Sequence, residues 1–196
     1  MPRVQPKSEG DLAEFKQMFG ELEEFFGFLP NDYLTMGRKP ALLAAVGELT
    51  KVVVFGPGQL PMSLRLLVPY ISSRAAGCMY CIAHCAVLAD RHGIEAEKIA
   101  NIHSYATHPS FTPAERAALR VAERANYLPN AVTDEDFNEL RLYFDDDAIV
   151  EIVALISMMA FYNRWNDTMA TSLERPAWQY ADRTLGQTGW TLSKHG

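Results

Sequence analysis

Apolar residues recur at intervals of three and four along nearly the whole chain, and no segment alternates apolar and polar residues as a half-buried strand would. Leu12, Phe15, Phe19, Leu22 and Phe26 form one such stripe, on a helix starting near Ser8 or Asp11 and closed by Pro30. Pro40 opens a second helix that runs through Val54 to the stop Gly56-Pro57-Gly58. A third runs from Pro61 to Ala76 and ends on Gly77, and a fourth from Cys78 to His92 ends on Gly93. Glu95 to Ile102 makes a short helix. Thr112-Pro113-Ala114-Glu115 reads as a cap, a first-turn proline and a capping-box Glu. Thr133 with Asp136 starts another helix, and the longest spans Asp146 to Ala170, with Ile149, Val153, Ile156, Ala160 and Trp165 near one side. From Glu174 onward the periodicity weakens, which suggests a wrapping tail or a partner contact. The fold class expected is all-α: a helical bundle with an N-terminal helical extension (1–60), a core (61–170) and a C-terminal tail (171–196).

A chain of 196 residues can bury a full core without disulfide staples. Its formal charge of −6, with no basic stripe, argues against binding nucleic acid through the phosphate backbone. No apolar run approaches the roughly 20 residues needed to cross a bilayer, and no secretory signal follows Met1. A cytoplasmic protein without a membrane partner is expected.

The three cysteines, Cys78, Cys81 and Cys85, stand within eight residues of one another. That is not the scattered even set of a secreted disulfide framework. On a helix with Cys78 at zero, Cys81 falls near about 300°, His84 near about 240° and Cys85 near about 340°, so all four share one face. Gly77 breaks the preceding helix and leaves Cys78 and Cys81 in the first turn of the next. Unpaired amides and the positive dipole end favour an anion there, so at least one thiol is expected to be more acidic than a free cysteine. A Cys-x-x-Cys pair so placed can close and reopen a disulfide, with His84 able to pass protons.

Two plainer readings compete. Cys78, Cys81, Cys85 and Leu88 also make a simple core stripe. The same cysteines with His84 are metal-ligand types, but one helix face cannot easily surround zinc and no second cysteine knuckle exists, so no metal is expected. Asp145-Asp146-Asp147 suits a helix start better than a cation site. Glu151, Asn163, Asn166 and Asp167 are polar groups on the apolar last helix that could line a face near the cysteines.

The segment Gly77-Cys78-Met79-Tyr80-Cys81-Ile82-Ala83-His84 resembles the core of the alkylhydroperoxidase D / carboxymuconolactone decarboxylase family. Phe111-Thr112-Pro113-Ala114-Glu115-Arg116 resembles that family's middle helix, and Phe161-Tyr162-Asn163-Arg164-Trp165-Asn166-Asp167 its closing one. The resemblance covers roughly Ser63 to Ala170. It implies an all-helical homo-oligomer, as dimer, trimer or hexamer, and thiol-dependent reduction of a hydroperoxide or other small molecule. Cys81 then matches the attacking thiol and Cys78 the resolving one, with an external dithiol as reductant and no organic cofactor. Decarboxylase-type members lack the paired cysteines. Where the peroxidase pattern has a histidine four residues after the second cysteine, this chain has Cys85, with His84 one place early. Where the pattern has a glutamate twelve residues before the first cysteine, this chain has Leu66. His84 is expected to replace the first group, and Glu151 is a candidate for the second. A redox sensor without turnover, and a non-redox decarboxylase-like enzyme with His84 as base, are the alternative functions.

Overall fold

The computed structural model describes residues 2–196, which hold ten α-helices and no strand. They are α1 (Lys16–Phe26), α2 (Asn31–Met36), α3 (Pro40–Thr50), α4 (Met62–Ala76), α5 (Met79–Arg91), α6 (Ala96–Ala100), α7 (Pro113–Ala125), α8 (Asp134–Leu140), α9 (Asp146–Met169) and α10 (Arg175–Thr184). The all-α expectation holds.

Helix boundaries follow local chemistry. Ser8, Thr112 and Thr133 each form a reciprocal capping box, with Asp11, Glu115 and Asp136 respectively. Asp145 caps α9 by accepting the Ala148 N–H. The first expected helix is divided. Leu12 leaves helical geometry, so a 3₁₀ segment, Glu9–Phe15, precedes α1. The second expected helix likewise changes character, from α3 to a π-helical turn over Lys51–Phe55. Both α2 and α10 lay outside the sequence reading. The first is only six residues long and the second follows a stretch of weak apolar periodicity.

Helix α4 is the hub, packed against α5, α7 and α9. Its buried side chains include Leu64, Leu67, Val68 and Tyr70, so it reads as apolar nearly all round. Gly77 ends it at φ +73°, a left-handed turn that a side chain would strain, and α5 starts at once in a new direction. Helix α9 is long and apolar enough to cross a membrane, but half of that stretch is buried inside the protein as core. Its inward face carries Ile149, Ile152, Ile156, Met159, Tyr162 and Asn166, whereas Val153 and Ala160 point outward. Helix α10 lies against α5, so the C-terminal segment covers the cysteine helix. Trp190 anchors the same tail by donating its indole N–H to the Met79 carbonyl at 2.9 Å.

Candidate active site

Cys78 is the N-cap of α5, extended at φ −82° and ψ 100°, and its sulfur accepts the Cys81 N–H at 3.4 Å. This geometry turns the Cys78 side chain back over the first turn, and the Cys78 and Cys81 sulfur atoms come to 3.0 Å from each other. Both are free thiols and both are buried. Cys81 forms part of the wall of a cavity of about 80 Å³, whose other walls come from α1, α2, α3, α4 and α9 and from the π-helical turn. The lining is mostly apolar and aromatic, with Phe25, Phe26, Tyr33, Leu66, Met158 and Tyr162 among it. Phe25 and Phe55, both partly exposed, pack edge to face with ring centroids 4.7 Å apart and, with the half-buried Phe26 and Val54, belong to the less buried part of the lining.

The sequence led us to expect an acidified thiol, and Cys81 is the reverse. Burial first, then the Cys78 sulfur and the nearby Cys85 and Asp32, push the Cys81 thiol well above its ordinary value. The amide at the helix start that could have favoured a Cys81 anion points at Cys78 instead. Cys85 also lines the cavity, and its sulfur lies 3.8 Å from the Ser73 hydroxyl. Burial pushes its thiol up to about 12, with Ser73 acting against the shift.

His84 lies on the same cavity, one turn after Cys81, in contact with the Tyr80 ring at a centroid distance of 4.2 Å. Its Nε2 meets Glu174 Oε2 at 2.5 Å. Glu174 Oε1 accepts the Tyr80 hydroxyl at 2.7 Å and the Asn31 backbone N–H at 2.5 Å. Burial alone would raise the Glu174 carboxyl, but His84 and these donors leave it below the ordinary value. The carboxylate beside His84 is therefore that of Glu174, which lies in the segment expected to be a wrapping tail.

Glu151, the acid proposed from the sequence, is elsewhere. Its carboxylate accepts the backbone N–H groups of Gln59 and Leu60 at 2.8 and 3.2 Å and lies 3.8 Å from Arg65. It fastens the loop before α4, where Gly58 has no side chain to block its approach. Asn163 is also displaced: it is buried on another face of α9, near Ala75, Ala76 and Tyr127, while its neighbour Tyr162 lines the cysteine cavity. Asn166 is the polar residue of α9 that reaches the thiols. Its Nδ2 donates to Asp32 Oδ2 at 3.0 Å and stands 3.6 Å from Cys81 Sγ. Leu66, where the family acid would stand, is an apolar part of the cavity wall. No cluster of metal-ligating residues exists among the described residues.

Comparison with known proteins agrees with this architecture. Residues 40–124 match the carboxymuconolactone decarboxylase family. The debrominase Bmp8 superposes with a TM-score of 0.86 at 35% identity, over 92% of this chain and 97% of that one. The chain belongs to the carboxymuconolactone decarboxylase family. A cysteine-to-alanine variant of Bmp8 in complex with 2,3,4-tribromopyrrole superposes equally well, with a TM-score of 0.87 at 34% identity over 92% and 96% of the two chains. The alkylhydroperoxidase D core of a peroxidase-related protein from Ralstonia eutropha JMP134 shares the fold, with a TM-score of 0.76 at 23% identity over 90% and 94%. YdfG of Bacillus subtilis is 28% identical over 101 residues, 51% of this chain and 69% of its own length. In this chain the cysteine pair stands at the start of α5, and the carboxylate beside His84 comes from Glu174 in the C-terminal segment.

Proposed function

We propose that the protein is a dithiol-dependent reductase of a small, largely apolar organic electrophile, with Cys81 as attacking thiol and Cys78 as resolving thiol. The observation that carries this reading is the 3.0 Å contact between the two sulfurs, one of which faces the cavity. A thiol pair at that separation can pass two electrons outward and close a disulfide with little backbone movement.

The favoured electrophile is a halogen on a small aromatic ring. The aromatic lining of the cavity suits such a ring, and the debrominase Bmp8 is 35% identical over nearly the whole chain. The Cys81 thiolate takes the halogen as a sulfenyl halide, the carbon–halogen bond breaks, and a proton replaces the halogen on carbon. Cys78 then displaces halide from the Cys81 sulfur, forming the disulfide, and an external dithiol reduces it. One aryl halide and two thiols give the still aromatic ring with hydrogen in place of the halogen, one disulfide, one halide and one proton. No organic cofactor is required, since the dithiol supplies both electrons.

A second reading is reduction of an organic hydroperoxide, favoured by the Cys-x-x-Cys pair with His84 one turn on. The peroxide oxygen oxidises Cys81 to a sulfenic acid and the alcohol leaves, and Cys78 then condenses with it, releasing water. In both reactions His84 handles the proton. With Nε2–H held by Glu174, the imidazole Nδ1 is left to accept or deliver it. The exposed apolar residues Leu142, Tyr143, Val150 and Val153, around the start of α9, support assembly with further copies of the chain.

Reduced protein with excess dithiol is to be offered 2,3,4-tribromopyrrole and cumene hydroperoxide separately. Release of one bromide per dithiol oxidised, abolished by Cys81→Ser and by Cys78→Ser, supports the first reading. Consumption of the hydroperoxide alone, abolished likewise, supports the second. Turnover that survives both substitutions overturns the dithiol assignment.

A further inference from the structure

The polar groups lining the cavity sort into satisfied and unsatisfied ones. The hydroxyls of Tyr33, Thr50 and Tyr162 close on one another: Tyr33 to Tyr162 at 2.7 Å, Thr50 to Tyr162 at 2.7 Å and Tyr33 to Thr50 at 3.2 Å. They ask nothing of a ligand. Two buried oxygens in the same lining lack a hydrogen-bond partner among the described residues, Asp32 Oδ1 and Asn166 Oδ1. Because the Asp32 carboxylate can only accept, the amide bond to Oδ2 fixes which way Asn166 is turned. The unmet groups are therefore both acceptors, and a carboxylate oxygen left without a donor in an apolar enclosure is unfavourable.

We infer that Asp32 orients the substrate: its free oxygen takes an N–H or O–H carried on the ring of a small aromatic molecule, and this sets the reacting atom against Cys81. The inference rests on the reductase reading and narrows its substrate class to aromatic rings bearing a hydrogen-bond donor close to the electrophilic atom. The scale fits, because a single Asn166 amide group touches both the Asp32 carboxylate and the Cys81 sulfur. That separation is comparable with one five- or six-membered ring. No lysine or arginine pairs with Asp32. The charged or titratable groups acting on it are His84 and Glu174, with hydrogen bonding from the Asn166 amide and, more weakly, from the Tyr33 backbone N–H. A neutral donor on the substrate is thus what the site lacks.

The test is binding rather than turnover. The Cys81→Ala variant is titrated by calorimetry with 2,3,4-tribromopyrrole and with 2,3,4-tribromothiophene, a ring of similar size without the N–H. The pyrrole is expected to bind about tenfold or more tightly than the thiophene, since a site built for a donor rejects the analogue lacking it. In Cys81→Ala/Asp32→Ala the preference should shrink to about twofold or less. Cys81→Ala/Asp32→Asn is the second variant, kept because it preserves side-chain shape, and circular dichroism of each verifies folding. Equal binding of the two rings, binding of neither, or a preference that persists in both Asp32 variants overturns the inference. Dithiol turnover of the wild-type protein is measured separately. Turnover without a donor preference leaves the reductase standing and removes the role of Asp32. A donor preference lost in the Asp32 variants, with no thiol turnover, keeps that role and removes the reductase.

Discussion

The Glu174 carboxylate and the His84 imidazole meet at 2.5 Å across 90 residues of chain, joining the C-terminal segment to the cysteine helix. Both side chains are buried, and the same carboxylate also holds the Tyr80 hydroxyl and the Asn31 N–H. Glu174→Ala leaves three donors without an acceptor, two of them buried, so a loss of about 3–5 kcal/mol is expected in urea unfolding. Glu174→Gln keeps an acceptor and costs less, but turnover should drop about tenfold because the histidine tautomer is no longer fixed. The pH dependence has a definite sign. Glu174 is lowered in the folded protein, so its contribution is complete above the unfolded carboxyl value of 4.5 and is lost as pH falls through the folded one. Wild-type stability should fall steeply below that value, and the Ala variant should lose most of that slope.

Asp32 carries the opposite linkage. Burial, opposed by the Asn166 hydrogen bond, raises its carboxyl from 3.8 to about 6. The folded protein binds the proton more tightly than the unfolded chain, so this group's effect on stability worsens as pH rises from about 4 to about 6, then stays constant. Asp32→Asn should therefore stabilise the fold by up to about 3 kcal/mol at pH 8 and by little at pH 4. Thermal melts of the two proteins at both pH values check it. Equal melting shifts at pH 4 and pH 8 would show that Asp32 carries no such strain. A group that weakens the resting fold while facing the cavity fits a site that holds an acceptor ready for its ligand.

The fold was legible where local chemistry is strong. The capping boxes at Thr112 and Thr133, the left-handed stop at Gly77 and the apolar stripe of α4 all carry their signal in neighbouring residues. That Cys81, His84 and Cys85 share one face of α5, the face that lines the cavity, with Cys78 at the helix start beside Cys81, was readable from helical spacing. The acid was not. Glu174 sits before a proline-started helix whose sequence gives no sign of what its carboxylate faces, and only the packing of α10 against α5 brings it to His84. Glu151 had looked suitable because it lies on the long apolar helix, but its position along α9 places it beside the loop at residues 59–60. The thiol acidity expected for the helix start failed for Cys81 because desolvation of the buried sulfur outweighs the helix-end field.

Removal of Glu151 should separate loop anchoring from catalysis. Glu151→Ala loses acceptors for the Gln59 and Leu60 N–H groups and a contact to Arg65. A destabilisation of about 1–2 kcal/mol is expected in urea, moderated by the partial exposure of the carboxylate. Dithiol turnover at a temperature where the variant is folded should stay within about twofold of wild type, since Glu151 does not line the cysteine cavity. A loss comparable with that of Cys81→Ser would return Glu151 to the proton path.

The raised Cys81 thiol makes a kinetic prediction. A thiol held above its ordinary value of 9.0 is almost wholly protonated at neutral pH, so its alkylation rate should climb about tenfold per pH unit between pH 7 and 9 without levelling off. The measurement uses a small neutral alkylating agent on protein with Cys85 replaced by serine, and mass spectrometry separates modification at Cys81 from that at Cys78. Ligand entry changes the terms of the comparison. A neutral N–H that donates to Asp32 draws on the carboxylate charge acting on Cys81 without removing it, so a bound, unreactive pyrrole should bring the Cys81 alkylation profile modestly to lower pH while slowing access. A plateau below pH 8 in the free protein would mean that the thiolate is already stored at rest, and that burial does not govern this sulfur.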